Sequence, residues 1–430
     1  MISVREAESL ILEQVQPLDP ERDREFVPLQ AAAGRILAAE VASQLDFPHW
    51  DNSAMDGYAV RYDDVQFCTA EQPVSLDVIE EIAAGQSPKK SVQAGQAARI
   101  LTGAMLPAGA DTIVMQEQTQ RQGDRVTILS APEPQAFVRH RGSFYQAGNP
   151  LLTAGTVLSA PAVAVLAAAQ CTEIPVYRRP KVAILSTGNE LVDPHQPLQP
   201  GQIVDSNQYA LAALLMLAGA EPLSLGSVPD DIAALKTAIA QAVSQADIVL
   251  SSGGVSVGDY DYVDQVLKDL GAELQVRAVA VKPGKPLTVA TFTPAAKAKL
   301  QSRSTLAAPS LQTLYFGLPG NPVSALVSFW RFVEPALRKL SGLSGSWQPV
   351  MTTARSQHPL RASGQRETYL WGQIQATPSG FVFSLSGGSH SSGNLINLAQ
   401  SNALAVVPVG QRQIEVGATV SVMMVNRPLS

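Results

Sequence analysis

Cysteine is nearly absent: Cys68 and Cys171 are the only two in 430 residues. Two thiols so far apart support neither a disulfide framework nor a thiolate zinc site, and they suit a reducing compartment. Histidine is also sparse, at positions 49, 140, 195, 358 and 390, without metal-ligand spacing. A zinc hydrolase or a Ser-His-Asp triad therefore finds little support. Charged residues make up only 16%, the net charge is −6, and no basic stripe occurs. That disfavours nucleic acid, whose nonspecific binding needs clustered Lys and Arg.

One long stretch has no charge at all, "NPLLTAGTVLSAPAVAVLAAAQCT" at 149–172. Gly155, Ser159 and Pro161 divide it, so it reads as a strand or turn followed by an Ala-rich buried helix, not as a membrane span. The opening "MISVREAESLILEQVQP" carries a capping box, Ser3 with Glu6, and then apolar residues at helical spacing. It reads as a mature helix and not a signal peptide, so a soluble, cytoplasmic protein is expected.

What the chain does have is apolar bulk, 46%, enough for several cores, and a length that implies about three domains. Residues 1–46 read as helical, including "LQAAAGRILAAEV". From 47 to 148, short runs such as "AARIL" and "DTIVM", separated by Gly, Pro and Asp, imply a β-rich domain. From 181 to about 340, apolar strands alternate with amphipathic helices. This implies an α/β domain, three-layered, with a mostly parallel sheet and ligands beyond the carboxyl ends of its strands. Beyond 346, alternation returns and implies a small β-barrel or sandwich. The segment 293–313 reads as a mobile, weakly basic insertion in a hairpin.

Several motifs fall at the expected ligand-facing strand ends. "VAILSTGNEL" places Ser186, Thr187 and Gly188 ahead of Glu190, and "LSSGG" repeats small residues at Ser252, Gly253 and Gly254, followed by Ser256 and Gly258. One such loop is as often a plain turn; two in one sheet suit phosphates, which close backbone approach and free N–H groups attract. Asp259, Asp261 and Asp264 crowd one helical first turn, more acid than capping requires, and a hard cation such as Mg²⁺ would relieve them. Asp230 and Asp231 open another helix, where capping alone is an equal explanation. "VKPGKPL" holds Lys282 and Lys285 around a stiff turn, and Pro319-Gly320-Asn321-Pro322 forms a rigid one. Asp56 in "DNSAMDGYAV" and Thr102 in "RILTGA" read singly as turn chemistry.

In this order, "DNSAMDGYA", "RILTGA", "STGNEL", "SSGGVSVGDYDY", "KPGKP" and "GLPGNPVSA" strongly resemble the molybdopterin molybdenumtransferase (MoeA) family over nearly the whole chain. The resemblance implies an enzyme that inserts molybdate into adenylylated molybdopterin and hydrolyses its pyrophosphate with Mg²⁺, releasing AMP. By the same motifs, Asp56, Thr102, Glu190, Asp230 and Asp261 match functional positions, Glu190 and Asp261 for the cation and water activation. Lys282 and Lys285 would contact substrate, and Pro319 and Pro322 would shape the pocket. Molybdate, an oxyanion, needs cationic and hydroxyl donors, for which Arg366, Ser389 and Ser391 are candidates.

The family fold further implies an elongated homodimer, in which the α/β domain of one subunit faces the 47–148 domain of the other. It also implies a discontinuous first domain, 1–46 with 149–180, followed by domains at 181–345 and 346–430. Contacts with other enzymes of molybdenum cofactor biosynthesis are conceivable, through the 293–313 insertion. Where the family continues with two acids after "FVRHRG", this chain has Ser143 and Phe144. Two rival functions share the motifs. A molybdopterin adenylyltransferase would resemble the α/β region alone; a non-catalytic scaffold would not need Asp56, Glu190 and Asp261.

Overall fold

The apolar runs of the middle region become six strands: β1 Lys181–Thr187, β2 Glu221–Val228, β3 Ile248–Ser252, β4 Glu273–Ala278, β5 Pro286–Phe292 and β6 Thr313–Leu318. A computed structural model describes residues 1–254, 262–300 and 311–425 and places these strands in one sheet, ordered β2-β1-β3-β6-β5-β4. The pairings from β2 through β6 are parallel, and β5 and β4 join by antiparallel ones. Successive side chains point to opposite faces, so both faces need apolar cover. Val182, Ile184, Leu250 and Phe316 pack with Leu211 and Leu215 of the helix Ser206–Leu217. Ala183, Leu185, Val249 and Tyr315 pack with Leu235 and Ile239 of the helix Ile232–Gln245. The result is a three-layer α/β domain.

Flanking regions are mostly β. Thr112–Met115, Gly57–Val60, Gln96–Ile100, Val74–Ile82, Arg125–Ile128 and Thr119–Gln122 form, in that order, a second six-stranded sheet. Near the C-terminus, Glu367–Thr377 pairs on one side with Gly380–Leu385 and on the other with Ala403–Val407. Met351–Ser356 and Thr419–Met424 complete the ring. The choice between barrel and sandwich thus falls to a closed barrel, which leaves no free edge. Among the described residues no helix is long and apolar enough to cross a membrane.

Two expectations are corrected, and the hairpin expected around 293–313 is found with a helix at its start. Helix in the first 46 residues is confined mainly to Val4–Gln14, capped by Ser3 as its sequence implies. "LQAAAGRILAAEV" yields only the short turn Leu29–Ala31, because Pro28 precedes it and Gly34 takes a φ of +75°, a conformation that stops a helix. Arg24–Pro28 is instead a strand, paired antiparallel with Glu173–Tyr177. The uncharged run does form a helix, Ala160–Ala168, but it buries just Ala162 and Leu166 and leaves Val165 exposed. A helix this short meets its neighbours Leu37 and Val176 along one stripe only. Finally, the insertion between the antiparallel β5 and β6 starts as a helix, Pro294–Leu300, whose buried Lys297 donates through Nζ to the Ala246 carbonyl at 2.9 Å. Its remainder, 301–310, lies outside the described residues.

One ion cluster ties the chain's first part to the sheet. Arg178 donates to both carboxylate oxygens of Asp247, at 2.7 and 2.9 Å, and to Asp23 at 2.9 Å. Both carboxylates are buried, and the Asp247 side chain also accepts the Lys181 N–H at the start of β1. Burial raises the Asp23 pKa, but donation from Arg22, the Asp19 N–H and Arg178 outweighs it and holds the carboxyl below its ordinary 3.8. Replacing Arg178 by Met leaves two buried carboxylates short of a partner. Destabilisation of about 3 kcal/mol is expected in urea unfolding at pH 7, the low end for a broken buried pair because Arg178 keeps 28% exposure. A depressed carboxylate pKa contributes stability above the unfolded value of about 3.9 that is lost as pH falls through the folded value. The Arg178→Met penalty should therefore shrink below pH 4.

Candidate active site

The parallel strands all end on one edge of the sheet, with Ser186 beside Ser252 and Ser252 beside Leu318 in register. Their loops open onto a cavity of about 1290 Å³ that the barrel closes from the other side. Lining it from the sheet are Thr187, Gly188 and Glu190 after β1, Asp230 after β2, Ser252, Gly253 and Gly254 after β3, and Pro319, Gly320, Asn321 and Pro322 after β6. Lys282 and Lys285 enter from the connection between β4 and β5, and Arg366 and Ser391 come from the C-terminal region.

Glycine is structurally required at the floor. Gly253 and Gly254 have φ of +88° and +67°, and a Cβ on Gly253 would sit 2.4 Å from the Thr187 carbonyl oxygen. The backbones of Gly253 and Gly320 lie back to back, since a Cβ on Gly320 would come within 3.5 Å of the Gly253 Cα. Nothing but main chain separates these two loops, and a ligand can approach the amides closely.

Acids divide by function at the helix starts. Asp231 caps Ile232–Gln245 by accepting the Ala234 N–H at 2.8 Å, which leaves Asp230 for the cavity. Glu190 also faces the cavity, with its carboxylate over Gly188. Among the described residues, neither Glu190 nor Asp230 is in an ion pair. Asp264 belongs elsewhere: it accepts from Thr288 at 3.2 Å and pairs with Arg277 at 3.3 Å. Asp259, Asp261 and Ser256 lie outside the described residues.

Other expected site residues are not in this cavity. Ser186 is fully buried, its hydroxyl 3.2 Å from that of Ser252, because alternation along β1 turns it away when Thr187 faces the ligand side. Ser389 lies behind Ser391, whose N–H its hydroxyl accepts at 3.3 Å. Asp56 and Thr102 sit together in the β-rich domain: one Asp56 oxygen accepts both the N–H and the hydroxyl of Thr102, each at 2.7 Å. Those two donors hold the exposed Asp56 carboxyl below its ordinary 3.8.

The cavity also gathers residues that the sequence did not single out: Asn207, Arg361, Trp371, His390 and Ser392. His390 stacks on Trp371 with ring centroids 4.5 Å apart, and its Nε2 lies 2.9 Å from the Ser386 carbonyl. Burial lowers its pKa from 6.5, against that hydrogen bond. A strand-end cleft with a glycine floor, cationic walls and, among the described residues, two carboxylates outside any ion pair defines an α/β protein with a cleft suited to an anion.

Comparison with known proteins fits this class. Residues 2–169 match the family model "MoeA N-terminal region (domain I and II)", residues 183–339 "Probable molybdopterin binding domain", and residues 353–425 "MoeA C-terminal region (domain IV)". The chain is 57% identical over 423 residues to the molybdopterin molybdenumtransferase of a Nostoc species, covering 98% of this chain and 94% of that one. It is 35% identical to the Haemophilus influenzae enzyme of the same name over all of both chains. A crystal structure of the molybdopterin biosynthesis moeA protein of Pyrococcus horikoshii superposes with a TM-score of 0.81 at 29% identity, covering 99% of this chain and 100% of that one. The chain belongs to the MoeA family of molybdopterin molybdenumtransferases.

The two floor glycines should respond differently to a methyl group. Gly253→Ala forces a left-handed residue onto a carbonyl and should cost about 1–3 kcal/mol or more in urea unfolding. Gly320→Ala makes only an ordinary contact and should stay within about 1 kcal/mol of the parent.

Proposed function

We propose that the cavity binds adenylylated molybdopterin, splits its pyrophosphate with Mg²⁺ to release AMP, and passes molybdate to the dithiolene. The observation that carries this is one cavity lined by a glycine floor, Lys282, Lys285 and Arg366, with Glu190 and Asp230 outside any ion pair among the described residues. Glycine amides and ammonium groups bind the phosphates, and the guanidinium with the Ser391 hydroxyl suits a tetrahedral oxyanion.

The donor set fits Mg²⁺, which takes one or two carboxylates and fills its shell with phosphate oxygens and water. Glu190 is the described ligand in this reading and Asp261 its partner, with Asp230 orienting water; when bound, the ion supplies charge neutralisation for the leaving phosphate. Lys282 and Lys285 offset the same developing charge and hold the pyrophosphate in place. No cysteine lies in the cavity lining, which agrees with soft ligands for molybdenum coming from the pterin itself.

Asp56 and Thr102 enter this scheme only across a homodimer, where the β-rich domain of a second copy would face the cavity. Exposed apolar residues, among them Phe26, Val157 and Val165, favour such a second copy. We place the enzyme in the cytoplasm, in keeping with its two free thiols.

The test is AMP release from adenylylated molybdopterin with Mg²⁺, with and without molybdate. Molybdate-dependent release is expected, and Glu190→Gln should reduce it by about 10²–10⁴-fold. AMP transfer from ATP without molybdate would instead identify an adenylyltransferase. Tight binding with no release under any condition would identify a scaffold.

A further inference from the structure

Asn207 follows the capping residue Asp205 by two positions, in the first turn of Ser206–Leu217, and is only 7% exposed although it lines the cavity. Its Nδ2 donates to the Gly320 carbonyl at 2.9 Å. That bond fixes which way the amide faces, because only the nitrogen can donate there. The opposite atom, Oδ1, is buried and has no hydrogen-bond partner among the described residues. The same holds for Thr187 Oγ1, 4% exposed in the same cavity.

These two orphaned atoms flank one floor. Thr187 Oγ1 would lie 3.0 Å from a Cβ on Gly253 and 2.8 Å from one on Gly254, while Asn207 grips Gly320, whose backbone abuts Gly253. An unpaired buried acceptor is costly, and native proteins rarely keep one without a reason. Leu191 and Ile203 add apolar surface to the same cavity. Bare glycine backbone and aliphatic side chains suit the faces of a planar ring, and the ring's polar edge then needs a partner.

We propose that Asn207 is a specificity-determining residue whose Oδ1 accepts a hydrogen bond from a ring N–H or amino group of the bound pterin nucleotide, with the Thr187 hydroxyl serving the same edge. This rests on the function proposed above and adds the recognition of a heterocycle to that of its phosphates. The shared chemistry is an N–H-bearing planar heterocycle, which is found in both the pterin and the adenine half of the substrate. A site committed to such a bond rejects ligands that lack the donor, since they leave the acceptor buried and unpaired.

The test is calorimetric binding of three probes to the full chain with Mg²⁺: neopterin monophosphate, AMP and inorganic pyrophosphate. Asn207→Ala and, separately, the isosteric Thr187→Val should weaken whichever ring-bearing probe occupies the site by about 10-fold or more and leave pyrophosphate binding unchanged. The probe affected tells pterin from adenine. Equal weakening of pyrophosphate in both variants would assign these residues to holding the loop and overturn the proposal. Unchanged binding of both ring-bearing probes would overturn it too, with the pocket's general function left standing. If the parent protein binds none of the three, the reading of the pocket fails and this inference with it. Thr187→Val removes no hydrogen bond among the described residues, so its result stands even if Asn207→Ala unfolds.

Discussion

The site depends on a two-residue seam. Val281 and Lys282 pair in parallel with Glu367 and Thr368, so the connection between β4 and β5 becomes an added strand beside the barrel. This short ladder brings Lys282 and Arg366 to the same cavity, and Arg366 donates to the Val281 carbonyl at 3.3 Å. Behind it, Arg331 pairs with Glu8 at 2.8 Å and donates to the Tyr369 hydroxyl at 3.0 Å, while Tyr369 donates to Glu367. First helix, α/β domain and barrel thus meet through one shielded cation, whose removal would strand buried polar partners. Burial, opposed by Arg331 and reinforced by Glu367, pushes the Tyr369 pKa well above 10, so it remains a donor at physiological pH.

Main chain and side chains divide the chemistry of the cavity. The floor is main chain, and at Gly253 a side chain could not be added without moving the Thr187 carbonyl. The walls are side chains from four separate connections and the barrel, each placed by a different element. Such an arrangement preorganises charge without demanding strain in any one loop.

Much of this was legible in the sequence, and the exceptions have physical causes. The α/β alternation, the strand-end loops and the β-rich character of the C-terminal domain follow from local periodicity, which depends on neighbours two to four residues apart. Residues 32–42 misled because alanine favours a helix locally, whereas Gly34 and pairing with the distant strands near 157 and 176 decide the outcome. Ser186 and Thr187 looked equivalent in sequence, and only the direction of β1 distinguishes them. Arg361, Trp371 and His390 carried no motif; their place in the cavity comes from barrel closure and the seam at Lys282, pairings between strands far apart in sequence that periodicity cannot register. Asn207 was hidden by its setting, since "DSNQYALAALL" reads as a capped helix and nothing local reveals an amide turned toward Gly320.

The cavity wall also carries a charge imbalance. Among the described residues it holds Lys282, Lys285, Arg361 and Arg366 against Glu190 and Asp230, in a chain whose net charge is −6. A polyanion diffusing up to this molecule meets mild repulsion over most of the surface and attraction at one mouth. Association should therefore be funnelled, faster than the size of the opening implies and slowed by added salt.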